Sequence, residues 1–214
     1  MPKKSKPRQL LVEGKNDRHV IWALCNLYNL PEVFSVEVPE ADSTEGISAL
    51  LNSLPLKINE KNLEILGIVV DADQDLTARW QAIQNRLIIS GYQDIPAKIP
   101  SEGWVHSTPE LPRVGVWIMP NCQLPGMLED FISYLVPDND KLLPKAELIL
   151  KQIEKESINK YTSIHHPKAL IHTWLAWQEK PGMPMGQAIT AGVLRYDSEL
   201  ASAFVEWLKK LFEI

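Results

Sequence analysis

Cysteine is almost missing from this chain. Cys25 and Cys122 are the whole complement, too few and too isolated for a disulfide framework or a zinc site. A reducing, cytoplasmic setting is therefore expected. No apolar run approaches the roughly 20 residues needed to cross a bilayer, so no membrane association is expected. The apolar stretch after the basic start Met1–Arg8 breaks at Glu13, which argues against a secretory signal. Internal repeats, low-complexity linkers and a Walker A phosphate loop are also lacking, which gives no support to a repeat array or a nucleotide-driven motor. The excess of basic charge typical of nucleic-acid binders is absent too: the formal net charge is −5. An acidic metal site would spend part of that charge on its own cation, and Lys3, Lys4, Lys6 and Arg8 form a basic tail that is either solvated or in reach of phosphates.

What remains is a chain of 214 residues with 45% hydrophobic and 23% charged residues, enough for one well-buried domain. Its first half alternates strand and helix patterns. Gln9 to Glu13 reads as a strand, and a helix capped by Asn16 or Asp17 runs to about Asn29. Val33 to Val38 alternates as a partly exposed strand does. Thr44 to Leu54, capped by Ser43 or Thr44, reads as a short helix. Leu63 to Val70 is nearly continuously apolar, the mark of a central strand covered on both faces. Leu76 to Ile89 reads as a helix ended by Gly91, and Val114 to Met119 as a last core strand closed by Pro120. The proline-rich stretch from Ile95 to Pro112 reads as loops or short edge strands. Helices are expected at Lys145–Glu154, Pro167–Gln178 and Glu199–Phe212, and Gly182–Gln187 reads as a loop. The expectation is a single α/β domain over residues 1–214: a mostly parallel sheet within 8–135, with a mainly helical extension over 136–214 packed on it.

Two aliphatic runs end abruptly in acids: Leu10-Leu11-Val12-Glu13-Gly14-Lys15-Asn16-Asp17 and Ile68-Val69-Val70-Asp71-Ala72-Asp73-Gln74-Asp75. The carboxyl edge of a parallel sheet is where open α/β folds bind ligands. Carboxylates gathered there repel one another unless a cation lies between them, and hard oxygen donors suit Mg²⁺ or Mn²⁺. Asp71 and Asp73 can turn toward one cation where the strand breaks, Glu13 can ligate or act as general acid or base, and Asp17 can face the same cleft. Taken singly, Glu13 also fits a loop residue, and Asp17 a helix-start acid favoured by the helix dipole. Asp75 reads as a helix cap.

In order and separation the two motifs resemble the Toprim domain of primases, topoisomerases, a ribosomal-RNA-maturing ribonuclease and OLD-type nucleases. Gly126-Met127-Leu128-Glu129-Asp130 resembles a segment of the OLD-like branch, and the whole chain is similar to stand-alone Toprim-related proteins grouped as a domain of unknown function. The resemblance implies a Rossmann-like, mostly parallel sheet. It also implies divalent metal held by Asp71 and Asp73, Glu13 as acid/base or ligand, and Asp17 and Glu129 completing a first or second metal site. A lysine near the metals in the OLD-like branch makes Lys168 a catalytic candidate, against its plainer reading as a solvent-facing helix residue.

The function expected first is a divalent-metal-dependent nuclease acting on DNA or RNA. A non-catalytic scaffold that binds metal or nucleotide for a protein partner stays open, with the C-terminal helices as docking or homodimer surface. So does a haloacid-dehalogenase-type phosphatase with Asp71 as nucleophile. His165 and His166 are adjacent and share no helix face, so they read as loop or helix-start residues rather than ligands. Trp174 and Trp177 read either as a base-stacking pair or as core.

Overall fold

The computed structural model describes residues 6–39 and 46–214. Among these, five strands form one sheet: β1 (Arg8–Val12), β2 (Ser35–Glu37), β3 (Ile65–Asp71), β4 (Trp104–His106) and β5 (Arg113–Met119), in the order β2-β1-β3-β5-β4. All pairs are parallel except β4 with β5. The two seven-residue strands, β3 and β5, pair along their whole length at the centre. That position matches their sequences, because a strand covered on both faces has no place for alternating polar residues.

Among the described residues eight α-helices surround the sheet: α1 (Lys15–Leu27), α2 (Gly46–Ile58), α3 (Leu76–Ile89), α4 (Leu128–Ser133), α5 (Leu142–Lys155), α6 (His166–Ala176), α7 (Met185–Thr190) and α8 (Glu199–Phe212). Parallel crossovers are right-handed, so helices whose connections run in opposite directions across the sheet lie on opposite faces. α1 leads outward from β1 to β2, whereas α2 and α3 lead back toward β5. Accordingly α2 packs against α3, and α1 packs with α7 and α8. α8 lies across β3 and β5, where Gly67 and Gly115 leave room for Leu211. A methyl group on Gly115 would come within 2.7 Å of Leu211.

The elements differ from the sequence expectations in specific places. α2 continues through Pro55 to Ile58 rather than stopping at Leu54, because Leu54 and Ile58 both point into the core. Its expected caps, Ser43 and Thr44, lie outside the described residues, as do Lys3 and Lys4 of the basic tail. Gly182–Gln187 is not all loop: Met185 opens α7, whose Gly186 lies against the His19 carbonyl of α1. Arg8 is not a free phosphate contact, since it donates to the Phe212 carbonyl and pairs with Glu64 at 3.7 Å. Trp174 is core, with its indole N–H on Asp140, while Trp177 is partly exposed, so the two form no common stacking surface. Among the described residues no helix is long and apolar enough to cross a membrane.

Candidate functional site

The carboxyl ends of β1 and β3 are neighbours in the sheet, with Val12 opposite Val69. The residues that follow therefore meet. Glu13 Oε1 accepts the backbone N–H of Asp71 at 2.8 Å, and Asp71 Oδ1 accepts the N–H of Leu128 at 2.9 Å. The first residue of α4 is thereby tied to the end of β3. Glu129, the next residue, is buried at 3% exposure, although charged side chains are rarely buried without a partner.

Asp17 completes the group from the first turn of α1. Its Oδ2 accepts the N–H of Gly14 at 3.0 Å, while its Oδ1 is buried without a hydrogen-bond partner among the described residues. Gly14 is extended (φ −146°, ψ 177°), so it supplies close approach rather than a left-handed turn; a Cβ there would lie 3.2 Å from Asp17 Oδ2. Asp130 accepts the N–H of Met127 at 2.8 Å and closes the start of α4 in the way Asp17 closes that of α1.

Electrostatics records the crowding. Burial, with Asp17 and Asp73 nearby, raises the Glu13 carboxyl to about 7, opposed by the Asp71 N–H and by Arg79. Burial and then Glu129 raise Asp17 to about 6, opposed by its own backbone N–H, the Gly14 N–H and Lys168. Asp71 is held well above the usual carboxylate range by burial and by Asp17, Glu13, Glu129 and Asp73. Five carboxylates thus act on one another at the edge of the sheet.

Two cations border them. Arg79, on the first turn of α3, donates from Nε to the Asp71 carbonyl at 2.7 Å and from Nη2 to Asp73 Oδ2. Asp73 takes a left-handed conformation (φ 53°) and exchanges both backbone hydrogen bonds with Gly126. The sequence reading missed Arg79, yet a signal was present: the helix whose cap is Asp75 turns its next residues back toward Asp71 and Asp73. Asp75 caps α3 by accepting the Ala78 N–H at 2.9 Å. Lys168 Nζ, on α6, stands 3.7 Å from Glu129 Oε1 with its side chain half exposed.

His166 was also underread. As expected it opens a helix, but its two ring nitrogens reach Glu154 at 2.6 Å and Glu147 at 2.8 Å, clasping α5 to α6. His165 is the last residue of the 3₁₀ turn before it.

The donor set is all hard oxygen, and the unpartnered Oδ1 of Asp17 is an acceptor with no proton to receive. Both features fit a divalent cation held by some of Glu13, Asp17, Asp71, Asp73 and Glu129. Among the described residues, however, no three carboxylate, imidazole or thiol groups already stand in ligating geometry, so binding would have to draw side chains together. Comparison with curated proteins and with solved structures finds no match to this chain. One protein-family model does match, over residues 7–213, and the chain belongs to that family, described as a protein of unknown function (DUF3226).

Proposed function

We propose that the protein is a divalent-metal-dependent phosphodiesterase of the Toprim type, acting on DNA or RNA. The observation that carries this reading is the unpartnered, buried Oδ1 of Asp17 within a set of mutually repelling carboxylates. Such a set is costly unless positive charge offsets it. Asp71, Asp17 and Glu129 would hold Mg²⁺ or Mn²⁺, with Glu13 and Asp73 beside them; the bound ion would polarise a phosphodiester and lower the pKa of an attacking water.

The chain's own groups have separable tasks. Glu13, with a carboxyl poised near neutrality, suits proton transfer to or from water or a leaving oxygen. Lys168, half exposed beside Glu129, suits charge stabilisation on a phosphate oxygen. Arg79 positions the Asp71–Asp73 turn through the Asp71 carbonyl and the Asp73 carboxylate. The Toprim resemblance of the two acidic motifs supports the same assignment.

A second reading rests on Arg79. It already neutralises Asp73, which favours a scaffold that serves a protein partner and works without a full metal set. Calorimetric Mn²⁺ titration of the wild type beside an Asp71→Ala/Asp73→Ala double variant separates the two. The phosphodiesterase reading expects binding that disappears in a still-folded variant, together with hydrolysis of oligonucleotides by the wild type alone. Absence of both binding and hydrolysis in the wild type overturns it.

A further inference from the structure

A second feature lies beside the acids, on the outer side of α1. A groove of about 560 Å³ runs between α1 and β2, the edge strand of the sheet. Arg18, Trp22, Cys25 and Asn26 line it from the helix, at the i, i+4, i+7 and i+8 spacing of one helical face. α7 packs on α1 at His19, whose ring lies 5.7 Å from that of Trp22. Ser35 and Glu37 line it from β2, and Lys6, Glu32 and Phe34 also lie in its lining.

The groove's chemistry points to a ligand. Trp22 is 49% exposed, an unusual position for the largest apolar side chain, and the Arg18 guanidinium lies 5.1 Å from its ring centroid. Arg18 Nε and Ser35 Oγ are both buried without a hydrogen-bond partner among the described residues. The groove offers a half-exposed indole and the Arg18 side chain, with Lys6, Glu32 and Glu37 also in its lining, which suits a planar ligand that carries both anionic acceptors and N–H donors. Glu37 adds an acceptor for an N–H group, which an unpaired base presents on its pairing edge.

Position links the groove to the acids. Arg18 follows Asp17 directly in α1. Glu37 pairs with Leu11 in the sheet, and Glu13 lies two residues further on, just past the end of β1. The groove is thus lined by the helix that carries Asp17 and by the strand paired with the one that ends at Glu13.

We infer that this groove binds single-stranded nucleic acid, with an unpaired base stacked on Trp22 and a neighbouring phosphate held by Arg18. The inference takes its ligand class from the phosphodiesterase reading. An indole reaches the face of a base only when that base is unpaired, so the groove selects single strands over duplex.

The test is fluorescence anisotropy of a labelled, phosphorothioate-protected oligodeoxythymidine of roughly 12 nucleotides, within the usual site size of single-strand binders. The full chain is titrated in Mn²⁺. Trp22→Ala should weaken binding about tenfold or more, and Trp22→Phe should restore most of it by keeping an aromatic face. Arg18→Gln should weaken binding and lower the slope of log affinity against log salt by about one. Duplex of the same length should compete poorly.

Wild-type affinity in Trp22→Ala, equal competition by duplex, or no binding by the wild type would overturn the groove assignment. The two readings fail separately. If the wild type cleaves oligonucleotides and Trp22→Ala binds and cleaves equally well, the groove falls and the phosphodiesterase stands. If binding depends on Trp22 but nothing is hydrolysed, the catalytic reading falls and the groove stands.

Discussion

The backbone N–H of Asp71 donates to Oε1 of Glu13 at 2.8 Å, so the end of β3 is held by the carboxylate that ends β1. Glu13 therefore has two tasks that conflict. As an acceptor it orders the strand ends, and as an anion it adds charge to a buried acidic set. A glutamine keeps the acceptor and removes the charge.

Glu13→Gln should stabilise the metal-free protein at pH 8 while abolishing hydrolysis. The Glu13 carboxyl is raised from 4.5 to about 7, so the folded state binds more protons than the unfolded state between those values. Wild-type stability accordingly falls as pH rises through that window. The advantage of the variant should be absent near pH 4, open across the window and reach on the order of 3 kcal/mol at pH 8. Urea unfolding of both proteins at several pH values reads this directly. A variant less stable than wild type at pH 8 contradicts it.

Divalent cation should reverse the same penalty. At pH 7.5, Mn²⁺ at a hundred times its dissociation constant should add about 2.7 kcal/mol to wild-type stability. Asp17→Asn should remove most of that gain, because the proposed site then loses the carboxylate charge whose Oδ1 has no hydrogen-bond partner among the described residues. Thermal melts with and without Mn²⁺ provide the check, and an equal gain in Asp17→Asn would exclude Asp17 as a ligand.

Arg79 bridges the carbonyl of Asp71 and the carboxylate of Asp73. Arg79→Ala should cost about 1–3 kcal/mol, the range for losing charge-assisted hydrogen bonds at a partly buried site. Arg79→Lys should recover little, since an ammonium lacks the planar fork that reaches both oxygens. Chemical denaturation of the two variants decides this, and full rescue by lysine would show that only the charge matters.

The His166 clasp predicts a different pH response. Both ring nitrogens face carboxylates, and the hydrogen bonds with Glu154 and Glu147 raise its pKa despite burial. A raised histidine stabilises the fold fully below its unfolded value of about 6.5, and the contribution disappears as pH rises through the folded value. The stability gap between wild type and His166→Gln should therefore be largest below pH 6 and narrow on the alkaline side. A gap independent of pH would mean that the imidazole acts by packing alone.

Gly115→Ala tests the face under α8. The added methyl meets Leu211 at 2.7 Å, and Leu211 has little room to retreat because it is fully buried and also covers Gly67. Overpacking of this kind costs about 1–3 kcal/mol, readable as a lower thermal midpoint. An unchanged midpoint would show that α8 shifts freely on the sheet.

Much of this was legible in local pattern. The run Leu63–Val70 identified the central strand because a strand buried on both faces tolerates no alternation. The spans Leu76–Ile89 and Glu199–Phe212 matched their helices end to end, with a capping acid or serine before each. The acids at the strand ends could be anticipated to meet, since parallel strands bring their carboxyl ends to one edge. Less was legible where a residue's role depends on a distant partner. α7 has too few residues for a periodic signal and stands because Gly186 fits against α1.

The sequence by itself determined most of the strands and the longer helices, and that Glu13, Asp71 and their neighbours end strands, because those properties follow from apolar spacing and caps within a few residues. Only the tertiary structure decided that Glu129 is buried beside Lys168, that Arg79 takes Asp73, that His166 joins two helices, and that Arg18 and Ser35 face a groove without partners. Each of these is a balance of charge and desolvation between residues far apart in the chain, and such a balance exists only once the fold has brought them together.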